Sequence, residues 1–586
     1  MVYFPIIALK HIPSDSVYAT STLLIENIYM SYSRRKCTMG QVTGGQLVAR
    51  TLRKIGATTI FTLCGGHIID IYNGCVDEGI RVIDVRHEQT AAHAAEAWTR
   101  LMGTPGVAVV TAGPGVTDAI TGIANAFRNQ VPMLVIGGQA PRKQLLKGGL
   151  QELDHVSLTK PITKSSASIL DTERIPELIV SALREAYNGR PGPSFVEIPI
   201  DVLDTAVNLD TVTFPSYIRS QGRQCGDPAL IEQASELLER AERPAIIAGT
   251  QVWYCRADEA LSSFVEKTCI PTYLNGAARG CLSGDCPSFM IRSRRHALSK
   301  ADVVMVIGTP FDFRLAYGKR ISADAKVIQI DLDYSELGHN REIAIGIQGD
   351  IKAVLTQLTD AIAARQGDGQ WLNELCRLEK SLLEKEKPFI HSEAVPIHPL
   401  RLANEIKAFM PEDTIFIADG GDVVTMSASL VTPCIPGRWL DPGPLGTLGV
   451  GTPFAIAAKA AMPDTEVIVL FGDGAFGLTG FDYDTLIRFN MPVIGVVANN
   501  AAWNQVRYGQ MERYGQVRGG VANILSPLRY DRVVEAMGGH GEHVTEPSQI
   551  RPALERARHS GKPSLINVMV NPNVFSSGTM TQSMFK

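Results

Sequence analysis

The sequence predicts an α/β protein with three doubly wound parallel-sheet domains. Short apolar strands alternate with helical segments along most of the chain, and this alternation is typical of parallel sheets covered by helices on both faces. The 586 residues are too many for one hydrophobic core. Hydrophobic residues make up 45% of the chain and charged residues 20%, as in ordinary globular proteins.

The strand signals fall into three blocks, which we expect to be the three domains. The block at 39–205 contains TTIFTL and GVAVVTAG, the block at 227–365 contains PAIIAGT and DVVMVIG, and the block at 395–572 contains EVIVLFGDG and PVIGVVANN. Residues 1–38 show no periodicity, so we expect a disordered extension there. The alternative is an organelle-targeting peptide, since Arg34, Arg35 and Lys36 are basic and acids are few. Residues 573–586 are expected to form a C-terminal tail or a lid.

Charge and cysteine usage narrow the class of protein. The formal net charge is −4, which argues against a nucleic-acid partner. Ten cysteines are scattered and match no zinc pattern, so we expect reduced thiols in a cytoplasmic protein. No apolar run reaches the roughly 18 residues needed to cross a bilayer, and we expect no membrane association.

The clearest motif begins with GDGAFGLTGF and continues to a strand that ends in Asn-Asn. Asp473 follows one buried strand and Asn500 follows the next. The carboxyl ends of parallel strands share one edge of a sheet, so the two side chains should meet there. Carboxylate, amide and carbonyl oxygens suit Mg²⁺ completed by phosphate oxygens. The glycines and the following helix N-terminus favour a phosphate group.

This motif resembles the diphosphate-binding motif of thiamine-diphosphate (ThDP) enzymes. The resemblance implies that Asp473, Asn500 and the backbone oxygen of Ala502 bind Mg²⁺. It also places Gly474 and Ala475 beside the diphosphate of the cofactor.

A second motif, VRHEQTAAHAAEAWTR, places Glu88 after a strand and at the start of an alanine-rich helix. Taken alone, Glu88 is an acid that favours the helix dipole. Together with TAGPGVTDAITGIANAF, however, the segment resembles the pyrimidine-binding domain of the acetolactate synthase-like ThDP family. The resemblance implies that Glu88 is the carboxylate that activates the cofactor, which itself carries the difficult chemistry.

The family resemblance extends from about residue 39 to about residue 570. It implies a pyrimidine-binding domain, a central Rossmann-like domain and a diphosphate-binding domain, in that order, with ThDP at the interface of a homodimer or homotetramer. GPLGTLGVG resembles the glycine-rich segment of the family, and this resemblance implies that the Gly446 oxygen receives the cofactor's amino group and that Leu448 supports its bent form. ADGGDVV implies that Gly421 and Asp422 lie near the diphosphate.

Three residues are candidates for the substrate side of the site. His67, in CGGHI, and Gln151 fall where benzaldehyde lyase has its active-site histidine and a glutamine. A neutral imidazole there can relay the proton of a substrate hydroxyl. Trp503 follows the Asn-Asn strand end and is expected to wall the same pocket or to pack within the fold.

The sequence departs from the FAD-binding acetolactate synthases in two places. Leu150 stands where they carry a phenylalanine, and FMIRSRRHAL replaces their Met-His-Gly element. We therefore do not expect FAD.

The stretch that stands in place of Met-His-Gly, FMIRSRRHAL, is basic, and its charge suggests a CoA substrate. Arg292, Arg294, Arg295 and Arg314 could hold phosphates, because guanidinium groups match phosphate oxygens. Asp331 ends a strand and is placed to accept from a ribose hydroxyl. The stretch GTPFDFRLAYGK resembles oxalyl-CoA decarboxylase and 2-hydroxyacyl-CoA lyase. The alternative is a solvated basic face.

We therefore predict a ThDP- and Mg²⁺-dependent carbon–carbon lyase or carboligase that acts on a small molecule. The activity we favour is that of a 2-hydroxyacyl-CoA lyase, which releases an aldehyde or ketone and formyl-CoA. The alternatives are a benzaldehyde lyase-type enzyme and an acetolactate synthase-like enzyme using pyruvate. A non-catalytic relative should lack Glu88 or Asp473, and both are present. An NAD(P) oxidoreductase needs a G-x-G-x-x-G fingerprint, and GPLGTLG is spaced differently.

Overall fold

A computed structural model describes residues 40–363 and 369–580 of the protein. Three six-stranded sheets follow one another along the chain, and all the strands within each are parallel. The predicted fold class, three parallel-sheet α/β domains, is confirmed. The extension expected at 1–38 and the end of the expected tail, 581–586, lie outside the described residues. Within the described part of the chain, no helix is both long and apolar enough to cross a membrane.

The first domain has the sheet order β3-β2-β4-β5-β7-β6, and β1 pairs with β8 in a separate antiparallel ribbon. Its strands are β1 Gln41–Thr43, β2 Thr59–Thr62, β3 Arg81–Asp84, β4 Gly106–Val110, β5 Met133–Gln139, β6 Ser165–Ser168, β7 Ser194–Pro199 and β8 Ala206–Asn208. Its helices are α1 Gly44–Lys54, α2 Ile69–Asp77, α3 Glu88–Met102, α4 Pro114–Asn129, α5 His155–Thr159, α6 Ile175–Tyr187 and α7 Ile200–Asp204.

The central domain has the sheet order β11-β10-β9-β12-β13-β14. Its strands are β9 Pro244–Ala248, β10 Thr272–Leu274, β11 Phe289–Met290, β12 Val303–Ile307, β13 Lys326–Asp331 and β14 Ile345–Gln348. Its helices are α8 Pro228–Arg240, α9 Gln251–Tyr254, α10 Asp258–Thr268, α11 Arg294–Lys300 and α12 Ile351–Ala361, and α13 Gln370–Ile390 leads to the third domain.

The third domain has the sheet order β16-β15-β17-β18-β20-β19. Its strands are β15 Ile415–Asp419, β16 Trp439–Leu440, β17 Val467–Gly472, β18 Ile494–Asn499, β19 His540–Val544 and β20 Ser564–Met569. Its helices are α14 Pro399–Phe409, α15 Asp422–Ser427, α16 Gly451–Ala461, α17 Asp473–Thr479, α18 Tyr483–Arg488, α19 Asn504–Arg518, α20 Tyr530–Ala536, α21 Ile550–His559 and α22 Ser577–Met580.

The first and third domains share one hydrophobic core, whereas the central domain has its own. Two alanine-rich helices, α3 and α16, lie at the centre of the shared core, and residues 451–459 of α16 are all buried. Alanine has no bulky side chain, so the two helices approach closely. The first and third domains are therefore joined through the packing of these two helices.

Candidate active site

The two predicted metal ligands meet at the edge of the third sheet. Strands β17 and β18 are hydrogen-bonded neighbours, with Gly472 opposite Ala498, so the residues that follow them emerge side by side. The Ala502 N–H lies 3.2 Å from Asp473 Oδ2 and 3.1 Å from Asn500 Oδ1. The structure therefore brings together the carboxylate and the amide oxygen that the sequence placed there.

The oxygens at this edge fit a hard divalent cation. Asp473 is 3% exposed, and burial raises its pKa to about 6 although the N–H groups of Gly474 and Ala502 donate to it. A cation beside the carboxylate would favour its charged form. The described residues contain no group of three or more His, Cys, Asp or Glu side chains that could hold a metal. The donor set instead combines one carboxylate, one amide and one carbonyl, which suits Mg²⁺.

Gly474 and Trp503 pack against each other at this edge of the third sheet. A Cβ on Gly474 would lie 2.4 Å from the Trp503 ring, so only glycine permits this contact. The Trp503 N–H donates to the Asn523 oxygen at 2.8 Å, and Ala475 is buried beside Gly474. The Trp503 ring thus packs on the backbone of the glycine motif, which is one of its two expected roles.

Asp422 begins α15 and contacts the C-terminal segment. Its Oδ1 accepts from the Ser576 N–H at 3.3 Å and from the Thr579 hydroxyl, whereas its Oδ2 is buried and has no hydrogen-bond partner. Gly421 immediately precedes it and has the Gln505 side chain beside it. Buried polar atoms normally have a hydrogen-bond partner. The unpaired Oδ2 of Asp422 therefore fits a bound ligand that donates a hydrogen bond to it or contacts it through a cation.

The carboxylate of Asp419 binds the backbone that follows the loop containing Gly446 and Leu448. Asp419 is fully buried at the end of β15 and accepts from the Gly449 N–H at 3.1 Å and the Gly451 N–H at 2.8 Å. Gly446 has φ +68°, and a Cβ there would touch nothing within 4 Å. Gly446 therefore faces open space, as a residue that contacts a cofactor should. Sequence reasoning missed Asp419, although its position at a strand end was a signal.

Glu88 is the first residue of α3, and its side chain is 7% exposed. Burial raises the pKa of Glu88, and the negative charge of Asp118 adds to this shift. A Cβ on Gly115 would lie 3.4 Å from Glu88 Oε1, so the carboxyl rests on the turn between β4 and α4. A carboxyl with a raised pKa retains its proton closer to neutral pH, which suits an acid that shares a proton with a nitrogen base.

Asp482 of the third domain accepts hydrogen bonds from residues on both sides of Glu88, from the Arg86 backbone and from the Thr90 side chain. One carboxylate oxygen accepts from the Arg86 N–H at 2.7 Å and the other from the Thr90 hydroxyl at 2.6 Å. Burial raises the pKa of Asp482. Sequence reasoning missed this residue, because the contact joins positions 396 residues apart and GFDYD carries no distinguishing signal.

His67 and Gln151 meet through a third residue, Thr111. The Thr111 Oγ1 lies 3.2 Å from His67 Nδ1, and its hydroxyl lies 3.5 Å from Gln151 Oε1. His67 is 8% exposed, and burial lowers its pKa. This shift favours the neutral imidazole, which is the form that can accept a proton. Thr111 was not identified from the sequence.

One arginine of the basic stretch in the central domain, Arg292, is already paired with a carboxylate of the chain itself. The Arg292 Nε lies 2.8 Å from Glu386 Oε2, and one oxygen of Glu379 accepts from the N–H groups of Arg292 and Ser293 at 2.6 Å each. Both acids belong to α13. Burial lowers the pKa of Arg294, and Arg295 is exposed to solvent.

Arg314 lies apart from that stretch, in a cavity of about 180 Å³ where all three domains meet. Arg128 and Arg190 of the first domain line the same cavity, and Arg314 is paired with Asp312 at 2.6 Å. Asp331 ends β13, is fully buried and has its pKa raised to about 6 by burial.

Asp331 is connected to this cavity through two glutamines. Gln251 Nε2 lies 2.8 Å from Asp331 Oδ1 and 2.9 Å from Gln130 Oε1, and Gln130 lines the cavity. Asp331 Oδ2 has no hydrogen-bond partner. The structure therefore associates Arg314 and Asp331 with one cavity and separates them from Arg292, Arg294 and Arg295.

The fold and the site define a ThDP-binding enzyme, and the comparisons with known proteins agree. Family models of the thiamine pyrophosphate enzyme match the chain in order: the N-terminal TPP binding domain at residues 42–158, the central domain at 231–358 and the C-terminal TPP binding domain at 419–568. The chain belongs to the thiamine pyrophosphate enzyme family. The predicted resemblance to the acetolactate synthase-like ThDP superfamily is confirmed.

The relatives carry the names of two different activities. The acetolactate synthase large subunit IlvG of Mycobacterium tuberculosis is 40% identical over 532 residues, which are 90% of this chain and 96% of the relative. The 2-hydroxyacyl-CoA lyase 2 of Homo sapiens is 33% identical over an aligned length of 583, and the alignment covers 92% of this chain and 91% of the relative. The 2-hydroxyacyl-CoA lyase 2 of Danio rerio is 35% identical, with 92% and 93% covered. The likeness establishes the cofactor class and leaves the substrate open.

Proposed function

We propose that the protein is a ThDP- and Mg²⁺-dependent lyase that cleaves a 2-hydroxyacyl-CoA into an aldehyde or ketone and formyl-CoA. The observation that carries this proposal is the buried imidazole of His67 beside Thr111 and Gln151. Cleavage between C1 and C2 requires a base that removes the proton of the 2-hydroxyl group. Decarboxylation of pyruvate releases CO₂ without such a base, so a buried histidine favours the lyase.

Each side chain of the site has a role in this reaction. Bound ThDP supplies a nucleophilic carbon and an electron sink for the breaking bond. Glu88 holds a proton against the pyrimidine ring, His67 accepts the hydroxyl proton, and Gln151 donates from its amide to the substrate oxygen. Asp473, Asn500 and the Ala502 carbonyl would hold Mg²⁺ against the diphosphate.

The CoA nucleotide is assigned to the cavity between the domains. Arg128, Arg190 and Arg314 line it, and guanidinium groups match phosphate oxygens. The assignment moves the phosphate site away from Arg292, which does not line this cavity. We continue to expect no FAD.

A second candidate is acetolactate synthesis from pyruvate. The observation that favours it is the 40% identity with IlvG over almost the whole of both chains. This reaction would use the same Glu88 and the same metal ligands, and would leave His67 without a proton to accept.

We further propose a homodimer or homotetramer in the cytoplasm. Exposed apolar side chains flank the site at Leu445, Leu478 and Phe481, of which Phe481 is 73% exposed. Such a group is typical of a protein interface, and a partner there would complete the site. The nine cysteines of the described residues are all free, which supports a reducing compartment. Light scattering of the purified protein tests the assembly, and a monomer would contradict it.

A substrate panel tests the activity. The protein with ThDP and Mg²⁺ is offered a 2-hydroxyacyl-CoA, benzoin and pyruvate in parallel, and products are identified by mass spectrometry. We expect formyl-CoA from the thioester. Acetolactate from pyruvate, with no thioester cleavage, would contradict the proposal, and benzaldehyde from benzoin alone would indicate a benzaldehyde lyase-type enzyme.

A His67 variant gives the panel a second readout. His67→Ala should reduce thioester cleavage by roughly 10²–10⁴-fold, the range of general base catalysis. Any decarboxylation of pyruvate should be affected much less. His391→Ala, at an exposed position at the end of α13, is the matched control and should retain full activity. Equal losses on both substrates in His67→Ala would show that His67 supports the fold instead.

A further inference from the structure

The turn at residues 111–115 contacts three candidate catalytic side chains. Thr111 lies against His67 and Gln151, and a Cβ on Gly113 would lie 2.9 Å from the Gln151 Cβ. Gly115 lies beside the carboxyl of Glu88. A displacement of this turn would therefore change the distances between all three groups.

Gly113 cannot hold this turn by its own backbone preference. Its φ of +58° and ψ of −112° lie in a region that only glycine visits readily, and glycine is also the most flexible residue when it is not restrained. The conformation therefore depends on contacts with the surroundings.

A buried histidine provides that contact. The Gly113 N–H donates to His155 Nε2 at 2.8 Å, and His155 Nδ1 lies 2.8 Å from Glu197 Oε2. His155 is fully buried. Since Nε2 accepts the amide proton, the neutral ring must carry its own proton on Nδ1 and donate it to Glu197.

Glu197 is held in turn by two further donors. Gln139 Nε2 lies 3.0 Å from its Oε2, and the Ser168 hydroxyl donates to its Oε1. All three neighbours of the carboxylate are donors, so it fixes the ring orientation of His155 from β7. A buried charge is retained only where such partners satisfy it.

We propose that His155, oriented by Glu197, is a positioning residue that sets the spacing of Glu88, His67 and Gln151 through the turn at 111–115. The roles of His67 and Gln151 come from the proposed function. Because Gly115 of this turn lies beside the Glu88 carboxyl, we expect loss of the positioning to lower activity on any substrate of a ThDP enzyme.

Two substitutions at His155 separate positioning from simple packing. His155→Leu fills the space but loses both hydrogen bonds, whereas in His155→Gln the amide oxygen can accept from Gly113 and the amide N–H can donate to Glu197. Thr172→Val is the matched control, since it removes one buried hydrogen bond, to the Val202 oxygen, elsewhere in the same domain. The assays are kcat and KM on whichever substrate the wild type converts, and hydrogen–deuterium exchange of a peptide that spans 111–115.

We expect His155→Leu to lower kcat by about 10–100-fold, because misplacement by 1 Å can reduce the rate that much, with KM nearly unchanged and faster exchange at Gly113. His155→Gln should recover most of kcat and of the protection, and Thr172→Val should match the wild type in both. Faster exchange in His155→Leu with kcat within about twofold of the wild type would overturn the proposal, as would equal defects in the Leu and Gln variants.

A fallback variant covers failure of His155→Leu to fold. Glu197→Gln keeps the imidazole of His155 but replaces one carboxylate oxygen with an amide N–H, which cannot accept from the groups that donate to Glu197. We expect it to lower kcat as His155→Leu does. An unchanged kcat would overturn the proposal. A wild type that converts only pyruvate would refute the 2-hydroxyacyl-CoA proposal and leave this test intact, because the variants are then compared on pyruvate.

Discussion

The edge of the third sheet and the basic stretch of the central domain differ in how their polar side chains find their partners. Asp473 and Asn500 meet at the same N–H group, whereas Arg292 pairs with Glu386, 94 residues later. Neighbouring parallel strands dictate where their ends point, so spacing predicts a meeting of side chains. A run of charge specifies no partner, and here the partners come from the chain itself.

The largest expected effect tests the sheet edge. Asp473→Ala removes the charged oxygen ligand that faces the proposed Mg²⁺ ion, and loss of one partner of a buried ion pair costs about 3–5 kcal/mol. We expect ThDP to be lost on gel filtration and activity to fall below detection, as measured by cofactor content and by turnover. Asp464→Ala, at a surface position before β17, is the control. Wild-type retention of ThDP in Asp473→Ala would refute the metal assignment.

The next effect tests the proposed activating carboxylate of the first domain. Glu88→Gln preserves size but cannot share a proton, so kcat should fall by roughly 10²–10⁴-fold. A loss of only about twofold, close to 0.4 kcal/mol in barrier, would exclude Glu88 as the activating acid.

Thermal unfolding of the same variant gives an independent check. Burial raises the pKa of Glu88, so the folded protein binds this proton more tightly than the unfolded chain. Its ionisation therefore destabilises the fold as pH rises above the ordinary glutamate pKa. Glu88→Gln should unfold at the same or a higher temperature than wild type at pH 7, and at a nearly equal temperature at pH 4. A lower unfolding temperature at pH 7 would mean that the carboxylate stabilises the fold.

The sequence predicted the three sheets and the meeting of Asp473 with Asn500 after neighbouring strands, because the apolar runs and these motifs are local. It did not reveal Thr111, Asp482 or the pair His155 and Glu197. Each of these acts through a contact with a distant segment, such as Asp482 with Arg86, 396 residues away. The residue types are common, and only the packing of α5 and β7 places His155 beneath Gly113. The same limitation explains why five residues proposed for one nucleotide site divide into two groups.

The smallest expected effect concerns that division. Arg314→Ala should raise the KM of a CoA thioester, because charge-assisted hydrogen bonds to a phosphate contribute about 1.5–3 kcal/mol. Since Arg314 is already paired with Asp312, we expect the lower end of that energy range, which corresponds to a roughly tenfold higher KM. The nucleotide is remote from the broken bond, so its binding secures the substrate and kcat should change little. Arg295→Ala is the matched control, with an exposed guanidinium in the stretch that α13 covers, and its KM should stay within about twofold of wild type.

Two other outcomes would change the comparison between the regions. A higher KM in Arg295→Ala with none in Arg314→Ala would return the phosphates to the basic stretch and require the Glu379 and Glu386 contacts to open on binding. Equal and unchanged KM values in both variants would show that neither region holds CoA. In that case the arginines of the cavity would serve to join the domains, since Arg190 already lies 3.5 Å from Asp333 of the central domain. A CoA-free substrate would then be the better assignment, and His67 alone would still distinguish a lyase from a decarboxylating synthase.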